Sequence, residues 1–430
     1  MPKLKVLICG AGIAGNALAG WLSNLDHDIT VIERFPSLRA SGLQVDLRGH
    51  GVEVMKRMGI EKVVRAKTVN EPGMELVDSS GKSRAYFPAN RTGQGPQAFT
   101  SEFEIMRGDL CRILYNVARP RVKFQWGISV QNLDDKGDFV EVLFSDGTTD
   151  RFDLVVGADG ISSRTRRMML GPGTPDMIDY IGVCISYFTI AREAQPGEEW
   201  TAKGYFGTGK RWILTRRNDP HRLQVYLGCD AVRLQDVKKG DVAEEKKALQ
   251  RIFQGIGWEI AGILKSLGDT DDLYCERIGV VKMPSWSSNR VVLVGDAAHC
   301  PTPNAGMGVT SSLVGAYVLA GEIGHAQSDT DLLSALKAYD QKYRPFIDRL
   351  QHGISSKKSW LRKLFDNIVA TPFGVRVLYW FITLIGLLRL DIVMKFFGHE
   401  DTKTWPLPDY KITCASGDEG EEEEDGEDRT

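Results

Sequence analysis

Three glycines and one glutamate near the start of the chain have the types and spacing to hold a dinucleotide. Gly10-x-Gly12-x-x-Gly15 follows the apolar run Lys3–Cys9 and opens a helical pattern that carries Ala14, Trp21 and Leu25. The first glycine suits a tight turn, the second lets backbone approach a pyrophosphate, and the third lets the helix pack on a sheet. The helix start adds unpaired N–H groups and partial positive charge. Glu33 closes a second apolar run, His27–Glu33, 18 residues past Gly15. A carboxylate there can accept hydrogen bonds from ribose hydroxyls. This β-α-β unit reads as a nucleotide site and does not by itself separate FAD from NAD. Arg34 is read either as a neighbour of the adenosine or as a surface residue.

A second constellation lies near residue 300. Val291–Gly295 reads as a buried strand, with Asp296 at its carboxyl end, where open α/β sheets bind ligands. A carboxylate there suits a ribityl hydroxyl. Gly306, Gly308 and Val309 then open another helix, whose glycines permit close approach to a ring and whose dipole favours negative charge at the ring edge. A third motif, Leu154–Gly160, places Asp159 after an apolar strand.

The elements that must position these groups alternate in the same order. Helical patterns span 46–67, Arg107–Ala118 and Ser311–Ile323, and most of 330–400; a hairpin with an Asp146-Gly147 turn spans 139–153. Residues 176–282 change character, with strands expected at Ile181–Ile190, Arg211–Arg216 and Leu223–Leu227. The expected fold is α/β: a Rossmann-like FAD-binding domain from 1–72, 101–175 and 283–355, with an inserted sheet-bearing substrate domain from 73–100 and 176–282. A helical region, 356–413, and an acidic disordered tail, 414–430, complete it.

GAGIAG at 10–15, VVGADGISSRTR at 155–166 and VGDAAHCPTPNAGMG at 294–308 together resemble the group A FAD-dependent monooxygenases of the p-hydroxybenzoate hydroxylase fold, over about residues 1–350. The stretch Arg39–Gly51 is most similar to tetracycline-inactivating and aromatic polyketide hydroxylases. The resemblance implies roles for single residues. Glu33 would bind the adenosine ribose, Arg107 the flavin chain, and Asp296 the ribityl or pyrophosphate. Asp159 would serve FAD and NADPH, Asp46 would lie near the flavin, Arg39 would help receive NADPH, and Gly306–Val309 would line the isoalloxazine. Met307 departs from the glutamine usual in this family, and Gly315-Ala316 from its Asp-Ala pair. The first leaves the backbone contribution intact; the second puts local helix contacts in doubt.

Outside these motifs, Arg211 and Tyr226 could face flavin and substrate, although strand parity decides which do. Arg164, Arg166 and Arg167 form either a phosphate patch or a solvated helix face. His299 reads as part of a structural turn rather than a base, and Cys300 as a packed thiol.

Composition bounds the function. The 430 residues are 42% hydrophobic with a net charge of −2, which argues against nucleic acid as a partner. The charge is uneven: nine acidic residues fall between Asp418 and Asp428, and a block of this kind is usually solvated. Seven scattered cysteines without a CxxC indicate neither a disulfide framework nor a metal site, and fit the reducing cytoplasm. Glycines reached by residue 10 leave no room for a signal peptide. Val377–Leu388 is uncharged, but twelve helical residues rise only about 18 Å against a core of roughly 30 Å. A buried or dimer-interface helix is expected there, with a peripheral membrane helix as the alternative.

The expected activity is oxygenation, most simply hydroxylation, of an aromatic or polyketide-like small molecule in secondary metabolism or detoxification, using NADPH (or NADH) and O2. A flavin dehydrogenase on the same fold, or a non-catalytic, membrane-associated flavin protein, are the alternatives. The chain lacks the Trp-x-Trp-x-Ile motif of flavin halogenases.

Overall fold

Apolar runs without alternation make strands buried on both faces, and Lys5–Cys9, Asp28–Glu33 and Leu154–Gly157 obey this rule. The computed structural model describes residues 3–39, 42–89, 101–301, 306–351, 368–387 and 405–412. Its first sheet has six strands. Lys5–Cys9 lies between Leu154–Gly157 and Asp28–Glu33, flanked by Lys123–Trp126 on one side and Val291–Leu293 with Ser287–Ser288 on the other. All its pairings are parallel except the last. Alternate residues feed two cores. Val6, Ile8, Val156 and Val292 pack with the helices Ile13–Leu22, Arg107–Ala118 and Gly308–His325. Leu7, Cys9, Val155 and Val291 pack against a three-stranded antiparallel sheet, Val130–Asp135, Val140–Phe144 and Thr149–Phe152.

The second sheet has seven strands, in the order Tyr274–Val281, Ile178–Ala191, Arg222–Asp230, Trp212–Asp219, Ala202–Phe206, Gly73–Val77, Ser83–Pro88. The early hairpin 73–88 joins it through a parallel pairing of Met74 with Ala202. Helices Val242–Phe253 and Ile260–Leu267 cover one face over Ile213, Val225 and Leu227. The next residues along these strands, Leu214, Arg216, Gln224 and Tyr226, therefore point to the other face, toward the first sheet's domain.

Two helical expectations are refined. Residues 46–67 are not one helix: a short strand, Gln44–Asp46, precedes His50–Arg57 and Glu61–Ala66, and Gly59 at φ +76° breaks between them. In the C-terminal region, Asp329–Gln351 and Pro372–Leu387 are helical. The acidic tail lies outside the described residues. No helix among the described residues is long and apolar enough to cross a membrane. Pro372–Leu387 instead docks on the second sheet. Tyr379 Oη donates to the Val77 carbonyl (2.7 Å) and accepts from Phe206 N–H (2.9 Å), just beyond the last paired residues of those two strands.

Candidate functional site: a glycine cradle facing an aromatic sheet

The Gly10–Gly15 turn is held by backbone. Gly10 N–H donates to the Ile32 carbonyl (2.8 Å), and Gly10 sits at φ +112°, where a Cβ would lie 2.6 Å from the Ala158 oxygen. A side chain on Gly15 would drive into the Gly10 carbonyl. Gly12 differs: the nearest atom to a Cβ there is an Arg107 guanidinium nitrogen, 3.8 Å away. Backbone and a cation thus converge as a pyrophosphate requires. Ala14 packs beneath, against Gly295. Glu33 accepts from the N–H groups of Ala11 and Phe35 (both 3.1 Å), which ties the second strand's end to the glycine turn. Each carboxylate oxygen retains a lone pair for a ribose hydroxyl.

Around this cradle, Arg34 is exposed and stacks on Phe35 (4.9 Å). Arg39 lies over Tyr274 (4.8 Å), a residue of the second sheet, and so spans the two halves of the molecule. Burial, with Arg107 beside it, draws its pKa down. Asp46 accepts from Ser101 and Arg48; burial still pushes its carboxyl above the usual range. Arg48 in turn packs 3.2 Å from the position of a Cβ on Gly306, and its N–H donates to Thr310 Oγ1 (3.0 Å). Gly308 begins an 18-residue helix, and among the described residues no atom beyond its chain neighbours and its own helix backbone lies within 4 Å of a Cβ position there; Val309 follows it, half-buried.

Asp296 and Asp159 end adjacent strands. Asp296 starts the short helix Asp296–His299 after Gly295, whose φ of +63° and contact with Ala14 leave no room for a side chain. Burial raises its pKa, while the Cys300 thiol and the Arg107 charge pull it down. Asp159 is committed differently. Its carboxylate accepts from Ser163 Oγ (2.5 Å), Arg164 N–H (2.8 Å), Thr165 N–H (3.0 Å) and Thr165 Oγ1 (3.1 Å). Its side chain holds its own turn, a use that the sequence motif does not reveal.

Two other expectations are corrected. Arg211 does not reach the sheet face turned toward the first sheet's domain: it donates to the carbonyls of Thr208 (2.9 Å) and Ile252 (2.5 Å), on the helix-covered side. Parity is the reason, since Ile213 faces the same way. Arg166 belongs neither to a phosphate patch nor to a solvated face. It is fully buried, paired with Asp176 (2.8 Å) and donating to the Ala297 and Ile161 carbonyls. The glycine at 315, in place of an acid, makes room: its Cβ would be 3.1 Å from His299 Nε2 and from the Tyr343 ring. His299 is boxed by Trp286, Tyr339 and Tyr343, and burial drops its pKa to about 3. It is a neutral core residue, and Cys300 is likewise a buried thiol.

Tyr226 does lie on the face turned toward the first sheet's domain, buried, edge-on to Tyr187 (5.3 Å), with its hydroxyl on Gln224 Oε1 (3.3 Å). Its surroundings hold residues that sequence reasoning missed. Arg216 forks onto both oxygens of Glu71 (2.8 and 2.7 Å) and also pairs with Glu104. Gln224 Nε2 donates to Gln44 Oε1 (3.0 Å) and Asn218 Oδ1 (2.9 Å). These contacts weld the second sheet to the two-stranded ladder Gln44–Asp46 and Glu104–Met106. The sequence signal was slight: Glu104 stands between the apolar Phe103 and Ile105-Met106. Among the described residues, no His, Cys, Asp and Glu cluster is arranged to hold a metal.

Fold and site together define a flavin nucleotide-binding protein: open backbone at Gly12 and Gly308, Arg107 over the turn and Glu33 at its strand end fit an extended FAD. A family model described as an FAD binding domain matches residues 3–352. An FAD-dependent monooxygenase from Sarocladium schorii, asL4, is 46% identical over 95% of this chain and 99% of that protein. A flavin-dependent monooxygenase from Phoma sp, eupH, is 39% identical over 95% of this chain and 98% of its own length. The crystal structure of the tetracycline destructase Tet(51) superimposes with a TM-score of 0.74 at 29% identity, covering 96% of this chain and all of that one. The chain belongs to the FAD-binding-domain family of group A flavin monooxygenases and is an FAD-dependent monooxygenase.

Proposed function

We propose that this enzyme uses NADPH (or NADH) and O2 to hydroxylate an aromatic or polyketide-like small molecule, in secondary metabolism or detoxification. One observation carries the reading. The second sheet turns the face bearing Tyr187, Tyr226, Trp212 and Leu214 away from its own helices and is tied through Arg216 and Gln224 to the domain of the glycine cradle, and the substrate crevice of this reading lies between that face and the start of helix Gly308–His325. Aromatic walls suit a flat substrate, which they can stack and shield from water. Similarity to a tetracycline destructase supports a polyketide-like shape.

When bound, FAD supplies the chemistry of reduction and oxygen activation. The chain's own residues bind and orient. Gly10, Gly12, Ala14, Gly15 and Arg107 hold the pyrophosphate, Glu33 the adenosine ribose and Asp296 the ribityl chain. Gly306, Gly308 and Val309 line the ring, with Asp46 behind Arg48. Arg39 receives the nicotinamide nucleotide. Asp159 contributes through the turn it holds, and Tyr226 orients substrate from the sheet.

The test is direct. Purified protein is expected to be yellow, to consume NADPH and O2 together when given tetracycline or hydroxylated polyaromatics, and to add one atom from 18O2 to a product. NADPH-driven turnover with no oxygen incorporated would leave a dehydrogenase; a protein that no FAD can colour would sink the reading. The six described cysteines are free thiols, which supports a cytoplasmic location. The outer face of helix Pro372–Leu387 exposes Phe373, Trp380 and Phe381 beside Arg376. That face supports a peripheral contact, with a membrane surface or a second copy; vesicle flotation and sedimentation separate the two.

A further inference from the structure

The contact between the two-stranded ladder and the second sheet contains more carboxyls than cations. On the ladder, Gln44, Asp46, Glu104 and Met106 share one face, because Gln44 pairs with Met106 and Asp46 with Glu104. Opposite them, Arg216 and Gln224 are cross-strand partners on the second sheet, as are Leu214 and Tyr226. The charged groups that meet here are Arg216 and Arg48 on one account and Asp46, Glu71 and Glu104 on the other. Glu71 and Glu104 are 1% and 2% exposed, so an unbalanced charge there is costly.

The hydrogen bonds show where the imbalance resolves. Both oxygens of Glu71 are held by Arg216, and both of Asp46 by Ser101 and Arg48. One oxygen of Glu104 meets Arg216, while its Oε2 is buried without a partner. Beside it on the ladder, Gln44 gives its Oε1 to Gln224 and leaves its Nε2 unpartnered.

We propose that Glu104 is a positioning residue that carries a proton on Oε2, and that this proton neutralises the Arg216 cluster and fixes the crevice wall against the flavin side of the molecule. Acting through Arg216, it holds the sheet bearing Tyr226 in register with the ladder that leads, by Asp46 and Arg48, to Gly306. The groups that face Glu104 act in opposite directions: Glu71, Asp46 and burial favour the proton, Arg216 opposes it.

The inference rests on the monooxygenase reading only for its kinetic arm. In the FAD-loaded enzyme, infrared spectra from pH 6 to 10 are expected to show a protonated carboxyl band that fades with a midpoint above the usual carboxylate range and is missing in Glu104→Gln. Stopped-flow reduction of the flavin by NADPH is expected to slow several-fold above that midpoint in the native enzyme. Glu104→Gln, a neutral isostere, is expected to keep the pH 6 rate and lose the alkaline fall, whereas Glu104→Ala is slowed at both pH values. Should Glu104→Gln not fold, Glu104→Asp is expected to move the midpoint. A band that persists unchanged in Glu104→Gln, or identical pH profiles in native and Glu104→Gln enzymes, overturns the proposal. A colourless protein would instead sink the flavin reading and leave the infrared arm standing.

Discussion

Asp159 and Asp296 make an instructive pair. Asp159 lies two residues past the end of Leu154–Gly157 and Asp296 three past the neighbouring parallel strand Val291–Leu293; the first precedes helix Arg164–Leu170 and the second opens helix Asp296–His299. Asp159 has spent its oxygens on four donors of its own turn. Among the described residues, Asp296 is backed by the Cys300 thiol and the field of Arg107, with its carboxyl pushed up by burial. A carboxylate that is saturated locally builds a scaffold; one held poorly in the protein has bonding capacity left for a ligand.

The comparison can be broken at several points. The largest effect is expected at the turn both strand ends adjoin. Gly15→Val drives a side chain into the Gly10 carbonyl and should abolish FAD retention, read as loss of the 450-nm-region flavin absorbance after gel filtration, to be scored as about zero occupancy. A fully yellow variant would show the cradle to be dispensable. Next, Asp296→Ala should weaken FAD binding by at least about tenfold, roughly 1.4 kcal/mol, while the FAD-free protein melts within a few degrees of native. Unchanged FAD affinity would remove Asp296 from the site.

His299, three residues on in the same short helix, tests acid stability. Its pKa lies near 3 in the folded protein and about 6.5 unfolded, so below pH 6.5 the unfolded chain takes up the proton preferentially. Stability is therefore full above that range and falls as pH drops from 6.5 toward 3. His299→Asn should start from a lower melting temperature but fall less between pH 7 and 5; parallel curves would exclude His299 as the source. The smallest effect on FAD binding belongs to Asp159→Ala. Loss of the turn's hydrogen bonds should cost about 1–3 kcal/mol of stability with FAD affinity changed less than in Asp296→Ala. The reverse ranking would invert the roles given to the two aspartates.

Much of this was legible because the nucleotide site is built from contiguous runs. Gly10–Glu33 contains its own strand, turn, helix and second strand, and the strand Val291–Leu293 declares its ligand-facing end by position alone. What stayed hidden depends on partners distant in sequence. Arg166 reads as one of three surface arginines until Asp176 and the Ala297 carbonyl enclose it. Arg211 and Tyr226 are equally plausible on paper, and only strand parity sends one to the helices and the other to the crevice. Glu71, Glu104 and Arg216 come from three separate stretches, with no motif to join them. The 46–67 helix failed at Gly59, where a left-handed residue outweighs the apolar periodicity around it.

The seating of Met74 beside Ala202 has a consequence for how the molecule is made. The hairpin 73–88 leaves the ribosome long before the strand it must join, and Leu154–Gly157 likewise waits for Val291–Leu293. The second sheet cannot close before Val281 is made, nor the first before Leu293, so nascent protein carries unpaired strand edges through much of translation. Growth temperature and chaperone supply, more than any single side chain, should therefore govern the yield of soluble enzyme from a heterologous host.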